Sequence, residues 1–318
     1  MNDFRRFILR AACVMVLVAG AAIGLFLAIK PDPQHYYQSS LLKLELLRNT
    51  PSPRIILAGG SNVAWGIDSE MIEREMGIPA INTGLDAHLG ITPITELKDF
   101  IQPGDIIILS LEYYNFASRN DFYGVSQNIA DWLEVKPSRV KYLENPMGEA
   151  PGLFTTALQR KLNRELNIWL YDGSLSEFRG LYSAENFNDH GDFIGHLKPE
   201  NAATYDFADT QYPVNQLDEA YDYLENFYQF AHRINALVFF EAQPHRQNNC
   251  NLTGVKHIKA FYGKLKARNS FRLLTDLNNL CLPDDYFYDT PYHLNAIGRE
   301  VRTKRLIENL KKAIGESQ

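Results

Sequence analysis

The stretch Arg54-Ile-Ile-Leu-Ala-Gly-Gly-Ser-Asn-Val-Ala-Trp-Gly-Ile67 decides the fold. Its first residues form a short run rich in aliphatic, β-branched side chains, which predicts a buried strand. Gly59 and Gly60 let the backbone turn sharply and leave the hydroxyl of Ser61 uncovered. After Ser61 the apolar residues recur at helical spacing. A serine in this position is where an α/β sheet places a nucleophile or an anion-binding hydroxyl, and an ordinary strand-to-helix turn is the alternative.

Strand-like and helix-like segments alternate over most of the remaining chain. The run Ile106–Leu111 has the strongest strand pattern, and further strand-like runs lie at 79–85, 236–240 and 271–274. Amphipathic helices are predicted at 217–234, 255–267 and 296–314. With 318 residues, 45% of them hydrophobic, the chain can bury a large core. This alternation predicts an α/β three-layer sandwich with a mainly parallel sheet.

The N-terminus predicts a membrane anchor. Residues 11–29 carry no charged side chain and just span a bilayer core of roughly 30 Å as a helix. Arginines precede this run, so residues 1–10 are expected in the cytoplasm and the rest of the chain on the extracytoplasmic side of the cell membrane. Residues 30–53 are predicted to be a stalk, and residues 54–318 the α/β domain, with an insertion at about 118–213. A signal peptide cleaved near Ala21 is the alternative.

Charge and cysteine content narrow the function classes. The net charge is −6, but residues 1–30 hold four basic residues against one acidic residue, so the remainder carries about −9. An acidic domain without basic runs argues against a nucleic-acid partner. Cys250 and Cys281 lie beyond the membrane segment, where they form either a disulfide or two free thiols. No spacing of cysteine and histidine suggests zinc.

A catalytic constellation emerges from residues far apart in sequence. Asp289 and His293 lie in the loop before the last helix, and Ser61 follows the first strand, so both loops can open at one sheet edge. A serine hydroxyl attacks an acyl group only when a histidine takes its proton and a carboxylate orients that histidine. The backbone N–H groups of Ser61 and Gly84, with the Asn115 side chain, are the predicted donors to the oxyanion.

These residues resemble the four sequence blocks of the SGNH (GDSL-type) hydrolases. Gly60-Ser61 follows the first strand, Gly84 the second and Asn115 the third, and Asp289 with His293-Leu294-Asn295 comes near the end. The resemblance spans Arg54 to about Lys312, apart from the insertion. It implies a flavodoxin-like three-layer fold, a serine–histidine–aspartate triad, and a glycine and an asparagine in the oxyanion hole.

The membrane anchor and the His-Leu-Asn ending narrow the resemblance to envelope proteins of the D-alanyl-lipoteichoic acid transfer and alginate O-acetyltransferase types. That branch implies an esterase or O-acyltransferase that acts on acyl esters of a cell-envelope glycopolymer. The resemblance also implies that such an enzyme uses no cofactor and no metal. A membrane-bound acyltransferase is a candidate partner.

The chain departs from the family pattern in three places. The first block reads Gly59-Gly60-Ser61 where the family usually has Gly-Asp-Ser, so Gly60 stands in the place of the aspartate. Thr290 occupies the usual place of the acid, three residues before the histidine, whereas Asp289 lies four before it. The third block reads Glu112-Tyr-Tyr-Asn115. These departures keep open a second hypothesis, a non-catalytic binding or assembly partner of a membrane acyltransferase or a polysaccharide exporter.

Other polar side chains offer rival interpretations. His88 and His245 are alternative histidines for the base. A metal site is one reading of the insertion, and a polar loop that covers the cleft is the favoured one. Its candidate ligands are Asp189, His190, Asp192 and His196.

Overall fold

Five parallel strands form the central sheet of the protein. The computed structural model describes residues 3–170, 180–198, 211–213 and 215–315. The sheet order is β2-β1-β3-β4-β6, and a separate parallel pair joins β5 to β7. The strands are β1 (Ile55–Gly59), β2 (Ala80–Asn82), β3 (Ile106–Ser110), β4 (Leu237–Phe240), β5 (His245–Arg246), β6 (Arg272–Leu273) and β7 (Cys281–Leu282). The predicted α/β class with a mainly parallel sheet is therefore confirmed.

Twelve α-helices lie within the described residues. They are α1 (Asp3–Ala28), α2 (Ser39–Asn49), α3 (Ser61–Gly66), α4 (Ser69–Met76), α5 (Thr92–Leu97), α6 (Arg119–Tyr123), α7 (Ser126–Val135), α8 (Pro146–Leu170), α9 (Asp218–Arg233), α10 (Gln247–Thr253), α11 (Val255–Arg268) and α12 (Ala296–Gly315). The closing helix α12 begins as the sequence predicts, because the Asn295 side chain accepts hydrogen bonds from the N–H groups of Ile297 and Gly298, both at 3.1 Å.

Helices cover both faces of the sheet. Alternate residues of a strand point to opposite faces, so β1 divides its apolar side chains between two cores. Ile56 and Ala58 pack with α2, α5, α9 and α11, and Ile55 and Leu57 pack with α4 and α12. Strands buried on both faces are hydrophobic throughout, which is why β1 and β3 were readable from sequence.

The pairing of β1 with β3 brings the ends of both strands to one edge. Their register runs from Ile55 opposite Ile106 to Gly59 opposite Ser110. The residues that follow the two strands, beginning with Gly60 and Leu111, therefore leave the sheet side by side. The candidate site is built at this carboxyl edge.

The predicted stalk is part of the folded domain. Helix α2 contributes Leu44 and Leu47 to the core on one face of the sheet. Lys43 is buried, and its ammonium group donates to the carbonyl of Asn82 at 2.9 Å and also to the carbonyl of Gly191. The buried side chains of this segment show that it forms part of a layer.

The insertion at 118–213 is largely helical in its described part. Its longest described helix is α8, which begins at Pro146 and ends at Leu170. Helices α7 and α8 pack together with Tyr37, Trp65 and the end of α1 in a further apolar cluster beside the carboxyl edge of the sheet. Residues 171–179 and 199–210 of the insertion lie outside the described residues.

Two further features, an apolar helix and a disulfide, bear on the cellular compartment of the domain. Helix α1 is long and apolar enough to span a membrane, by its length and composition. Cys250 and Cys281 form a disulfide, the first of the two alternatives for this pair, and they bridge 31 residues. Cys13 in α1 is free.

Candidate active site

Two glycines place Ser61 at the start of α3. A Cβ atom on Gly59 would lie 2.1 Å from the carbonyl oxygen of Ser110. A Cβ atom on Gly60 would lie 2.4 Å from the carboxylate oxygens of Glu112 and 2.6 Å from Cα of Ala87. Neither position has room for a side chain, so the sequence needs both glycines because of close approach. The turn is compact and leaves the Ser61 side chain half-buried at the cleft.

Buried hydrogen bonds stabilise the turn around Ser61. The N–H of Asn62 donates to Glu112 Oε1 at 3.0 Å. The Arg302 guanidinium donates to the carbonyl oxygen and the side-chain oxygen of Asn62, at 2.7 and 2.8 Å, and pairs with Glu241 at 2.5 Å. All four side chains are buried. Since α12 carries Arg302, the last helix fixes the backbone of the residue next to Ser61.

Glu112 is a buried carboxyl directly behind the serine turn. It is fully buried, and burial raises the pKa of its carboxyl. Its Oε2 atom has no hydrogen-bond partner among the described residues. Burial therefore makes this carboxyl a weaker acid than an exposed glutamate. In the sequence Glu112 stands out only as a departure in the third block, because a glutamate after a strand carries no signal that it will lie next to Gly60.

His293 and Asp289 form a hydrogen-bonded pair. Nδ1 of His293 lies 2.7 Å from Oδ1 of Asp289, and the Tyr182 hydroxyl donates to Oδ2 of the same carboxylate at 2.5 Å. Thr290 does not contact the imidazole in this way. Its hydroxyl accepts hydrogen bonds from the N–H groups of Tyr292 and His293, at 3.2 and 3.1 Å. This tight turn brings the carboxylate four residues before the histidine into contact with the ring.

The surroundings of Asp289 favour its ionised form. Burial by itself raises the pKa of this carboxyl, but the hydrogen bond and charge of His293 and the hydrogen bond of Tyr182 outweigh it and lower the pKa below its ordinary value. An ionised Asp289 holds the proton of the neutral imidazole on Nδ1. Nε2 is then the basic nitrogen, and it has no hydrogen-bond partner in the described part of the chain.

Trp65 supports the imidazole through its ring face. The Trp65 and His293 rings stack with centroids 4.0 Å apart and planes 8° apart. Phe193 stacks on Trp65 at 4.1 Å, and the indole N–H donates to the Tyr36 hydroxyl at 3.3 Å. Because Trp65 belongs to α3, the helix that begins with Ser61 also carries the platform for the histidine. The platform restricts the ring to one orientation.

Ser61 and His293 line the same cleft, which has a volume of about 800 Å³. Among the described residues, no hydrogen bond joins the Ser61 hydroxyl to His293. Such catalytic contacts are often long in unliganded sites and tighten with substrate. Much of the wall is aromatic and comes from Tyr36, Tyr37, Trp65, Tyr114, Tyr182 and Tyr292.

Gly84 and Asn115 do not fit the oxyanion role predicted for them. The N–H of Gly84 is already bonded to the side-chain oxygen of Asn82 at 2.9 Å. Asn115 is fully buried, and its amide nitrogen donates to the carbonyls of Ala87 and Asp121, at 2.9 and 2.8 Å. Both groups hold loops, and neither lines the cleft. The prediction for these two residues is corrected on this geometry.

Ala87 replaces them as a candidate donor. It lines the cleft, and its Cα atom lies against Gly60. The N–H groups of Ser61 and Ala87 have no acceptor among the described residues. Free N–H groups on residues that line the cleft of a serine hydroxyl are candidates for stabilising a tetrahedral oxyanion. No sequence pattern points to Ala87, because its proximity to Gly60 depends on the path of the loop after β2.

The rival histidines have other environments. His88 lines the cleft and lies 3.0 Å from Asp86, and its hydrogen bond to Asp86 raises the pKa of the His88 ring. His245 is fully buried and contacts the Tyr262 hydroxyl at 3.2 Å. Of these two rival histidines, only His88 is therefore placed to meet a substrate in this cleft.

Acidification is expected to destabilise the fold through His245. Burial lowers the pKa of this ring to about 3, from 6.5 in the unfolded chain. Between these pH values the unfolded chain binds a proton that the folded chain does not. The stabilising contribution is therefore complete above about pH 6.5 and declines as the pH falls toward 3. His245→Gln should reduce the drop of the thermal midpoint across this window, and His232→Gln, at an exposed position, should not. Equal drops in His245→Gln and the unmodified protein would contradict the assignment.

The residues considered as metal ligands have separate structural contacts. Asp192 is buried and bonds Ser69, Asn82 and Arg299, at 2.6 to 3.0 Å. His196 stacks on Phe193, and burial lowers the pKa of the His196 ring to about 3. His190 lies 3.3 Å from the carbonyl of Ala80. Within the described residues no group of three potential ligands comes together.

The fold and the site together define an α/β protein with a serine and a histidine–aspartate pair in one cleft at the carboxyl edge of a parallel sheet. No model of a known protein family matches the chain, and no curated protein matches its sequence. The geometry of the cleft is therefore the basis for any functional conclusion.

Proposed function

We propose that this chain is a membrane-anchored serine esterase or O-acyltransferase of the SGNH type, acting on acyl esters of a cell-envelope glycopolymer. The observation that carries the proposal is the His293–Asp289 pair, with a free Nε2, in the cleft that Ser61 also lines. The sheet order β2-β1-β3-β4-β6 also supports it. Since β5 lies outside this sheet, β6 is its fifth strand, and the order corresponds to the flavodoxin-like order 2-1-3-4-5.

The first half of the reaction transfers the acyl group to the serine. The Ser61 oxygen attacks the ester carbonyl while His293 Nε2 takes the hydroxyl proton, and the carbonyl π electrons move onto oxygen. The N–H groups of Ser61 and Ala87 stabilise that oxyanion. Collapse of the tetrahedral intermediate breaks the ester C–O bond, and the leaving alkoxide takes the proton from His293.

The second half releases the acyl group. Water in an esterase, or a sugar hydroxyl in a transferase, attacks the acyl-serine while Nε2 accepts its proton. Collapse returns that proton to the Ser61 oxygen and yields an acid or a new ester. The aromatic side chains along the cleft suit a sugar ring or an acyl chain equally.

The anchor favours a substrate held at the cell membrane. Helix α1 has the length and composition of a membrane span, and arginines precede its apolar part, which favours an extracytoplasmic domain. The Cys250–Cys281 disulfide agrees with an oxidising compartment. A tethered enzyme meets substrates in the same surface at a raised effective concentration.

Labelling with a fluorophosphonate tests this proposal. The full-length protein in detergent should form one covalent adduct, on the tryptic peptide that contains Ser61, because an activated serine attacks the phosphorus. His293→Gln should lose the label, and the matched variant of the rival histidine, His88→Gln, should keep it. An unlabelled intact protein would contradict the proposal and favour the alternative, a non-catalytic partner of a membrane acyltransferase or polysaccharide exporter. The missing Ser61–His293 hydrogen bond keeps that alternative in view.

A further inference from the structure

The second half of α8 carries an apolar face that no described residue covers. Its side chains are between 40% and 79% exposed, with Trp169 the most exposed. They lie at positions i, i+4, i+7 and i+8, so they share one side of the helix. The face consists of Leu162, Leu166, Trp169 and Leu170.

The opposite side of α8 is fixed to the domain by charge. Arg160 pairs with Asp131 and Arg164 with Glu134, both at 2.8 Å, and both acids belong to α7. Lys161 is buried between these helices and the end of α1. The helix therefore has a defined inner side and cannot turn its apolar face toward the protein.

Helix α8 also holds the end of the apolar helix α1. The Lys161 ammonium donates to the carbonyl oxygens of Phe26 and Ile29, at 2.9 and 2.7 Å, and Arg164 donates to the carbonyl of Lys30 at 2.6 Å. The rings of Phe154 and Phe26 meet edge to face at 5.3 Å. The apolar face starts at Leu162, the residue after Lys161, so it begins beside the point where α1 ends.

We propose that this face of α8 lies in the interfacial layer of the lipid bilayer, next to the point where α1 leaves it. A helix with leucines and a tryptophan on its outer side and cations beneath has the composition of an interfacial helix. Continuity with α1 favours lipid over a second protein. The inference rests on the membrane anchor in the proposed function.

Docking of α8 gives the cleft a fixed relation to the membrane. Arg164 lines the cleft, as do Asp32 and His35, which follow α1 by only a few residues. One end of the cleft is therefore built from the groups that hold the end of α1. The substrate enters at the bilayer surface, so it is an acyl ester carried by a lipid or by a glycopolymer that lies on the membrane.

Tryptophan fluorescence in lipid nanodiscs tests this placement. The chain has three tryptophans, of which Trp65 and Trp132 are buried. The full-length protein is reconstituted in phosphatidylcholine with and without bromine on the acyl chains, and the Trp169 signal is the difference from W169F. Bromolipid should quench that signal about twofold or more, since interfacial side chains lie at the acyl boundary.

A matched control places the probe elsewhere. Leu237 is exposed at the start of β4, at the sheet edge opposite the cleft, so Leu237→Trp in the W169F background should not be quenched by bromolipid. A Trp169 signal that ignores bromolipid but responds to acrylamide means solvent exposure and overturns the proposal. A signal that ignores both quenchers means cover by protein and also overturns it. The readout needs no turnover, so its failure is distinct from a failure of fluorophosphonate labelling.

Discussion

Replacing Ser61 with alanine is expected to abolish ester turnover and leave the fold intact. The hydroxyl is the nucleophile of the proposed mechanism, and loss of the nucleophile in a serine hydrolase lowers kcat by about six orders of magnitude. The Ser61 side chain is half-buried and makes no hydrogen bond within the described residues, so stability should change little. Hydrolysis of p-nitrophenyl acetate by the full-length protein, with the thermal midpoint measured in parallel, checks both statements.

A second serine nearby gives the opposite expectation. Ser69 begins α4, is buried, and donates its hydroxyl to Asp192 at 2.6 Å. Ser69→Ala leaves a buried carboxylate short of one hydrogen bond, which should cost about 1–3 kcal/mol in the free energy of unfolding. It should retain turnover. Full activity in Ser61→Ala would rule out the proposed nucleophile, whatever the result for Ser69→Ala.

The fold was predictable wherever a segment's own pattern decides its structure. The strands β1, β3 and β4 are apolar runs, and α9, α11 and α12 have one apolar side, so local sequence was enough. Helix α7 was missed. It buries Asp131 and Glu134, and those acids are tolerated only because Arg160 and Arg164 of α8 pair with them. Such pairing depends on tertiary contacts that no periodicity reveals.

The candidate site divides in the same way. Ser61, Asp289 and His293 could be grouped because residues that follow parallel strands meet at one edge. The oxyanion donors could not be found, because which N–H group stays free depends on the hydrogen bonds of its own loop. The N–H of Gly84 donates to Asn82, whereas the N–H of Ala87 has no acceptor within the described residues. Position 84 is a glycine because of tight packing, since a Cβ atom there would clash with Val63 and Ala64.

Replacing Asp289 with asparagine is expected to lower kcat about 10⁴-fold, with little change in KM. An amide cannot act as the ionised acceptor, so the imidazole loses the tautomer that leaves Nε2 basic, which in serine proteases costs a factor of this size. Asp289 does not line the cleft, so substrate contacts should survive. Steady-state kinetics with a soluble acetyl ester separates kcat from KM.

Two matched variants make the assignment of the acid specific. Thr290→Val removes the acceptor for the N–H groups of Tyr292 and His293, at the position three residues before the histidine. It should slow turnover far less than Asp289→Asn does, because the two neutral hydrogen bonds contribute only about 1 kcal/mol each. Asp86→Asn disturbs the rival pair with His88 and should alter KM more than kcat, since Asp86 lines the cleft. A larger kcat loss in Asp86→Asn than in Asp289→Asn would transfer the catalytic role to the His88 pair, because only one carboxylate can orient the base that serves Ser61.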